Sequence, residues 1–206
     1  VSMSAPNPTL VSSDNAISRA RLSDPENFFA FSLPSVPRRQ FVTERDAAFA
    51  DDRETGEVLL DSSDQLGTSY AATTPLLLAR YLRIRAGESL SFTRKASAEI
   101  NYVMRGAGTT KSLGGRVDWA AGDVMCFPGG VVTSYQASED SVLFLVCNEP
   151  LLALEQLEPP REGHGRVGPV HWQHDAIEQH LDRVYQRENS SETAGNAVQL
   201  VSTAMA

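Results

Sequence analysis

Histidine is scarce in this chain and unevenly placed: there are four in 206 residues, and all follow residue 163. The first 163 positions therefore lack the commonest transition-metal ligand. Positive charge is also short, with 18 Lys and Arg against 26 Asp and Glu and a formal net charge of −8. A phosphate-backbone binder builds affinity from clustered Lys and Arg, so nucleic acid is excluded as an expected partner. The two cysteines, Cys126 in VMCF and Cys147 in LFLVCNEP, form no CxxC pair and have no nearby His. They read as buried thiols, with a disulfide or a reactive thiol as the alternatives. No apolar run nears the ~18–20 residues that a membrane span needs, and VSMSAPNPTL lacks the basic start and apolar centre of a signal peptide. The expectation is a soluble, cytoplasmic protein without a membrane partner.

What is present falls into three textures. Residues 1–54 read as an N-terminal arm, polar and Ser/Asn/Asp/Pro-rich at first, then interrupted by the aromatic cluster FFAFSL before Pro34 and Pro37. That cluster suits docking on this chain's barrel or on a neighbouring subunit, and makes a homo-oligomer the expected state. The run ERDAAFADDRET at 44–55 fits a short helix or a charged loop equally well. From 55 to 158 short β-type runs alternate with glycine turns: EVLLD, LLLARYLRIR, SLSFTR, AEINYVMRG, GTTKSL, RVDWA, DVMCFP, VVTSYQA and SVLFLVC. In Tyr81–Arg85, Leu82 and Ile84 share one face and Arg83 and Arg85 the other. Short strands at this spacing predict an all-β antiparallel barrel or sandwich. Residues 159–206 begin as the irregular EGHGRVGPVHWQH, and a helix is predicted over 175–187 from the stripe Ile177, Leu181, Val184 and Tyr185.

Two spacings organise the barrel region. Gly87 is followed after five residues by Thr93-Arg94-Lys95, after three more by Glu99, and after six more by Gly106. Gly122 is followed after five residues by Pro128-Gly129-Gly130, after two more by Thr133, and after three more by Ala137. These resemble the two motifs of the cupin superfamily, whose fold is a double-stranded β-helix or jelly roll. The resemblance implies that the glycines and proline shape turns, and that His-x-His, Glu and a further His would hold a divalent metal. Here those ligand positions are Thr93, Lys95, Glu99 and Thr133, of which only Glu99 is a metal ligand. No metal is expected in this barrel. The run from TPLLLARYLRIRAGESLSF to DSVLFLVCNEPLL is further similar to one half of the gentisate 1,2-dioxygenase-like bicupins. In those proteins two cupin domains share a chain with a helical linker after the first. The helix at 175–187 matches that linker, and ETAGNAVQLV weakly echoes ETGEVLLD at 54–61, as if a second cupin were about to begin.

The candidate site residues follow from this frame. Lys95 and Glu99 form either an acid–base pair, with Lys95 holding a substrate carboxylate, or a salt bridge filling the space of a metal. Arg83, Arg85 and Arg94 line one face and bind an acidic ligand, or are solvated outer-face arginines. Thr93, Thr133, Ser134 and Tyr135 offer hydroxyls to a polar ligand or satisfy one another. His171, His174 and His180, with Asp175 and Glu178, form the other candidate metal cluster, against surface or interface histidines, and Trp172 reads as an anchor. Three functions remain open. The chain is a degenerate half of an oxygenase-type bicupin whose Fe(II) or other divalent metal resides in a second cupin domain or chain. Alternatively, it is a stand-alone, metal-free cupin that binds a small, carboxylate or aromatic molecule or serves as a regulatory or structural module, or a metal-free isomerase or lyase using Lys95 and Glu99.

Overall fold

The computed structural model describes residues 36–161 and 165–188, together with residue 200. FFAFSL, most of ETAGNAVQLV and His164 lie outside the described residues.

The chain enters through helix α1 (Val42–Phe49), so the undecided run at 44–55 is helical in its first half. Strand β1 (Gly56–Leu59) and the single turn α2 (Ser63–Leu66) follow. Eight strands come next, separated at the predicted turns: β2 (Leu78–Ile84), β3 (Ser89–Thr93), β4 (Ala98–Arg105), β5 (Ala107–Ser112), β6 (Gly115–Ala120), β7 (Val124–Pro128), β8 (Val132–Ala137) and β9 (Ser141–Cys147). Helix α3 (Glu149–Glu155), strand β10 (Val170–Trp172) and helix α4 (His174–Glu188) complete the described chain. All pairings are antiparallel, in two sheets ordered β1-β2-β9-β4-β7-β10 and β3-β8-β5-β6. This is the all-β jelly roll that the two motifs imply.

Pleating decides which residues fill it. Directly opposed residues share a face. Leu82, Leu143 and Val103 therefore stack across β2, β9 and β4, while Gly108, Ala137, Thr110 and Tyr135 stack across β5 and β8. Leu82, Ile84, Val103, Trp119, Met125, Phe127, Tyr135, Leu143 and Leu145 make the core, with Leu90 and Phe92 packed against it. The segment read from sequence as irregular contains β10, which adds an edge to the larger sheet by pairing with β7. In α4 the stripe Ile177, Leu181 and Val184 is half-buried and Tyr185 is exposed. Among the described residues no helix is long and apolar enough to cross a membrane.

Space requires glycine at position 129. A Cβ on Gly129 would overlap the backbone carbonyl of Ala96, which no side-chain rotation relieves. Gly114 has φ +74° but open space around it. Gly129→Ala should therefore lower the melting temperature more than Gly114→Ala, which carries only the left-handed penalty of about 1–2 kcal/mol. Calorimetry of the two variants, with equal losses as the contrary outcome, checks this assignment.

Candidate functional site

The two ends of the barrel interior differ. Where β3 runs out and β9 passes into α3, charged and polar side chains replace the apolar core. Arg80 on β2 and Arg94, one residue beyond β3, are both buried. Arg80 contacts Glu149 through Nη2 and Glu57 through Nη1 at 3.2 Å. Arg94 reaches Glu57 through Nη2 at 2.5 Å and Glu99 through Nε at 3.2 Å. Its guanidinium lies 4.0 Å from the Phe92 ring centroid, a cation–π contact. Two guanidinium groups thus meet three carboxylates, and Glu57 bridges them.

The network sets the protonation of its members. Burial works against the charged form of Arg80, but Glu149, Cys147 and Glu57 outweigh it and hold its pKa above the usual value. Burial pushes Glu149 upward, while Arg80 and the Cys147 thiol more than compensate and hold its carboxyl below the usual range. The Cys147 thiol, donating to Glu149 at 3.2 Å, is pushed up to about 12, chiefly by burial. Cys126 is pushed up to about 11 by burial and by Glu99. Both cysteines are free, buried and protonated at neutral pH.

Tyr135, fully buried on β8, donates its hydroxyl to Glu99 and also lies 2.8 Å from the Asn101 side-chain oxygen. Burial, and after it the charge of Glu99, drives its pKa well up, so the phenol is neutral. A single phenol proton cannot serve two acceptors, and the Asn101 amide nitrogen has no partner among the described residues. Turning the amide over resolves both: Asn101 donates to Tyr135, and Tyr135 donates to Glu99. Beyond this trio, Ser112 and Thr133 share a hydrogen bond of 2.9 Å, and the Trp119 indole donates to Thr110 at 2.9 Å. The hydroxyls satisfy one another.

The structure corrects several expectations. Lys95 and Glu99 do not pair. Lys95 is exposed and sits 3.6 Å from Glu158, whereas Glu99 is buried and held by Arg94 and Tyr135. Thr93 is exposed as well. The reason is parity. Thr133 faces inward and is opposed by Phe92, so the inward residues of this segment are Phe92 and Arg94, and Thr93 and Lys95 take the other face. Arg83, Arg85 and Arg94 do not share a face: Arg94 is inside the barrel, while Arg83 is buried on the outer face of the larger sheet. Arg85 gives its guanidinium to the carbonyls of Arg53 and Asp52 at 3.1 and 2.8 Å. Tyr135 and Thr133 point inward; Ser134 takes the opposite face and bonds Ser91 at 2.8 Å.

The inward set tests a cupin metal. Phe92 offers no donor, Arg94 is a cation, Thr133 is bonded to Ser112, and the Glu99 carboxylate is already shared by Arg94 and Tyr135. These residues do not fit a divalent ion. The HWQHD segment is not one helix. His171 lies on β10, with Nε2 2.8 Å from Asp123, and His174 opens α4, donating its backbone N–H to the other Asp123 oxygen at 2.8 Å. Burial pushes Asp123 up, but these contacts and the Ala120 N–H hold it below the usual carboxylate range. His180 lies 2.8 Å from Arg183 along α4. Among the described residues no group of three or more His, Cys, Asp or Glu is placed to hold a metal.

A cavity of about 300 Å³ opens over the polar end, lined by Tyr70, Ala71, Leu78, Thr93, Lys95, Glu149 and Ala153. Glu149 is common to its wall and to the buried network. Arg80, Glu57 and Glu149 escaped the sequence reading, yet Arg80 carried a usable signal. It stands at the same parity as Leu82 and Ile84, a charge in an inward stripe.

Two outcomes test the network. Tyr135→Phe leaves Glu99 and Asn101 short of a partner and should cost about 1–3 kcal/mol in denaturant unfolding. Because the folded pKa of Glu149 is depressed, its contribution is full above the unfolded value of about 4.3 and is lost as pH falls through the folded value. Glu149→Gln should therefore lower stability at pH 7 and flatten its decline below pH ~5; an unchanged acid limb would contradict the ion pair.

Comparison with known proteins places this geometry. Residues 78–201, from β2 through α4 and beyond, match the model of the AraC-like ligand binding domain. Among proteins of curated function, none matches significantly. A variant of salicylate 1,2-dioxygenase from Pseudoaminobacter salicylatoxidans, in complex with gentisate, is 18% identical over 57% of this chain and 35% of that chain, with a TM-score of 0.47. Another structure of that dioxygenase, with gentisate adducts, is 21% identical over 56% and 31%, with a TM-score of 0.43. KdgF from Halomonas sp. is 26% identical over 38% of this chain and 74% of that chain, with a TM-score of 0.34. The chain spans about a third of the length of the dioxygenases it matches. The family model covers more than half of the 206 residues, from the first strand of the barrel interior to beyond α4, and the chain belongs to the AraC-like ligand binding domain family of cupin folds.

Proposed function

We propose that this chain is a ligand-binding cupin that takes a small carboxylate with an apolar or aromatic body in the cavity at the polar end of its barrel, and performs no metal chemistry there. The observation that carries the reading is the inward set Phe92, Arg94, Glu99 and Thr133, where the fold keeps its frame and the donors of a metal site are replaced by a closed ion-pair network. That network forms a rigid floor without an open coordination position. Above it, Tyr70, Ala71, Leu78 and Ala153 give the cavity apolar walls, and Lys95 supplies a cation at the rim. The pairing of Lys95 with Glu158 at 3.6 Å is between two exposed side chains, and pairs of that kind contribute roughly 0–1 kcal/mol. A ligand carboxylate displaces Glu158 at little cost. Glu149, the other charge in the wall, is committed to Arg80 and repels a second anionic group.

The wider setting we infer is a degenerate cupin half of an oxygenase-type bicupin, with Fe(II) or another divalent metal held by a second cupin domain or chain. The retained turn frame around lost donors favours it. A homo-oligomer and a cytoplasmic location complete that proposal. The isomerase or lyase reading loses its pair, since Lys95 is exposed beside Glu158 while Glu99 is buried against Arg94 and Tyr135.

Calorimetric titration with benzoate, salicylate and glucose tests the binding role. The two carboxylates should bind and glucose should not; Lys95→Ala should weaken carboxylate binding about two- to fivefold, and Leu78→Trp, which fills the cavity, should abolish it. Glucose binding alone, or carboxylate affinity indifferent to both substitutions, would overturn the assignment. Elemental analysis with mass spectrometry of every chain in native material tests the setting: a metal-bearing partner chain or domain is expected, and metal held by this barrel is the contrary result.

A further inference from the structure

The outer face of the larger sheet carries a second arginine cluster whose electrostatics are unlike those of the interior. Helix α1 covers this face: Phe49 packs edge-on against Tyr81, with centroids 6.3 Å apart, and Tyr81 packs against Phe144 at 5.6 Å. Arg83 of β2 and Arg105 of β4 both stand opposite Val142 of β9, so they flank it on one face. Arg83 is completely buried, and the guanidinium of Arg105 lies 5.6 Å from the Phe49 centroid.

Among the described residues one carboxylate answers these two cations. Asp140 accepts from Arg83 Nη2 at 2.7 Å and from the backbone N–H of Ala86 at 2.9 Å. Its carboxyl is held below the usual range first by the Ala86 N–H and then by Arg83, with the charge of Arg105 adding to both. Asp140 is half exposed, so part of its charge is spent on solvent. Three buried guanidinium nitrogens are left with no acceptor among the described residues: Nε and Nη1 of Arg83, and Nε of Arg105. Buried donors without acceptors are rare in native proteins, and a buried charge lacking a partner is rarer. Inside the barrel Arg80 and Arg94 show the ordinary solution, in which carboxylates outnumber guanidiniums.

The geometry points to a binding site for a small monovalent inorganic anion of the size of chloride, held between Arg83 and Arg105 beneath α1. Charge selects an anion over water, because two guanidiniums against one half-exposed carboxylate leave an excess positive charge. Enclosure selects a small one, because Arg83 has no exposed surface through which a bulky oxyanion could reach it. The site lies outside the barrel and is independent of the cavity that holds the proposed carboxylate.

Thermal unfolding in sodium chloride, exchanged for sodium gluconate at constant ionic strength, reads the site without changing the screening. The melting temperature should rise saturably, by roughly 3–6 °C at ten times the dissociation constant. Arg105→Gln, at a half-buried position that should not prevent folding, should abolish the rise. Asp140→Asn should do the opposite and tighten chloride binding about three- to tenfold, because it removes the competing negative charge. Bromide soaked into crystals should give an anomalous peak between Arg83 and Arg105. A melting temperature indifferent to halide in the native protein, or density at that position belonging to water or to a carboxylate of the chain itself, would overturn the proposal.

Discussion

The fold depends on a chain of buried ion pairs running Glu149, Arg80, Glu57, Arg94, Glu99 and ending at Tyr135 and Asn101. Each charge in it would be costly alone, since a carboxylate or guanidinium taken from water loses more solvation than one imperfect partner returns. The cost is met only when all members are in place, and they come from six different segments: β1, β2, the turn after β3, β4, β8 and the start of α3. The network therefore acts as a register check. Sliding β4 by one residue would send Glu99 outward and put Ile100 into a cluster of guanidinium groups. Removing one member strands its neighbours, which is why breaking the network is more damaging than replacing it whole with apolar residues.

How much of this was legible in the sequence can be argued from β2 and β3. The run Leu78 to Ile84 announced its strand by composition and its inward face by Leu82 and Ile84; the same parity placed Arg80 inside, although the eye is drawn first to Arg83 and Arg85. Strand β3 was equally clear, but its faces were not. Counting from Gly87 puts Thr93 and Lys95 inward, whereas pairing with β8 sets Phe92 opposite the inward Thr133. With a period of two, a difference of one residue exchanges the faces completely, so Arg94 and not Lys95 enters the interior. Motif spacing measures distance along the chain, while inward direction is set by pairing with β8, which the sequence does not display. Glu57 and Glu149 were hidden for a related reason. Each lies at the edge of the barrel region, and their proximity to Arg80 is a product of sheet closure.

The histidines teach the converse. HWQHD suggested a helical metal pair, and the structure divides it between an edge strand and the first residue of a helix. Asp123 makes that division stable. Its two oxygens accept from the Ala120 turn, the His171 ring and the His174 backbone, so one carboxylate binds β10 to β7 and starts α4. The cluster is a clasp joining α4 to the barrel, and its carboxylate is engaged by three donors.

The contrast between the two arginine clusters bears on what the barrel recognises. Within the interior the carboxylates outnumber the guanidiniums, and every hydroxyl traced there is hydrogen-bonded, so the floor of the cavity has no free positive charge to offer an anionic ligand. Arg80 and Arg94 are consequently support and not recognition elements, in spite of being the most strongly basic groups near the cavity. On the proposed reading, recognition of a carboxylate falls to Lys95, whose outward parity leaves it at the rim with a weak partner. The same displacement of one residue that removed Lys95 from the barrel interior is what keeps its charge accessible. A lysine at the inward position would have been neutralised by Glu99, and an arginine at the rim would have left Glu99 buried without a cation.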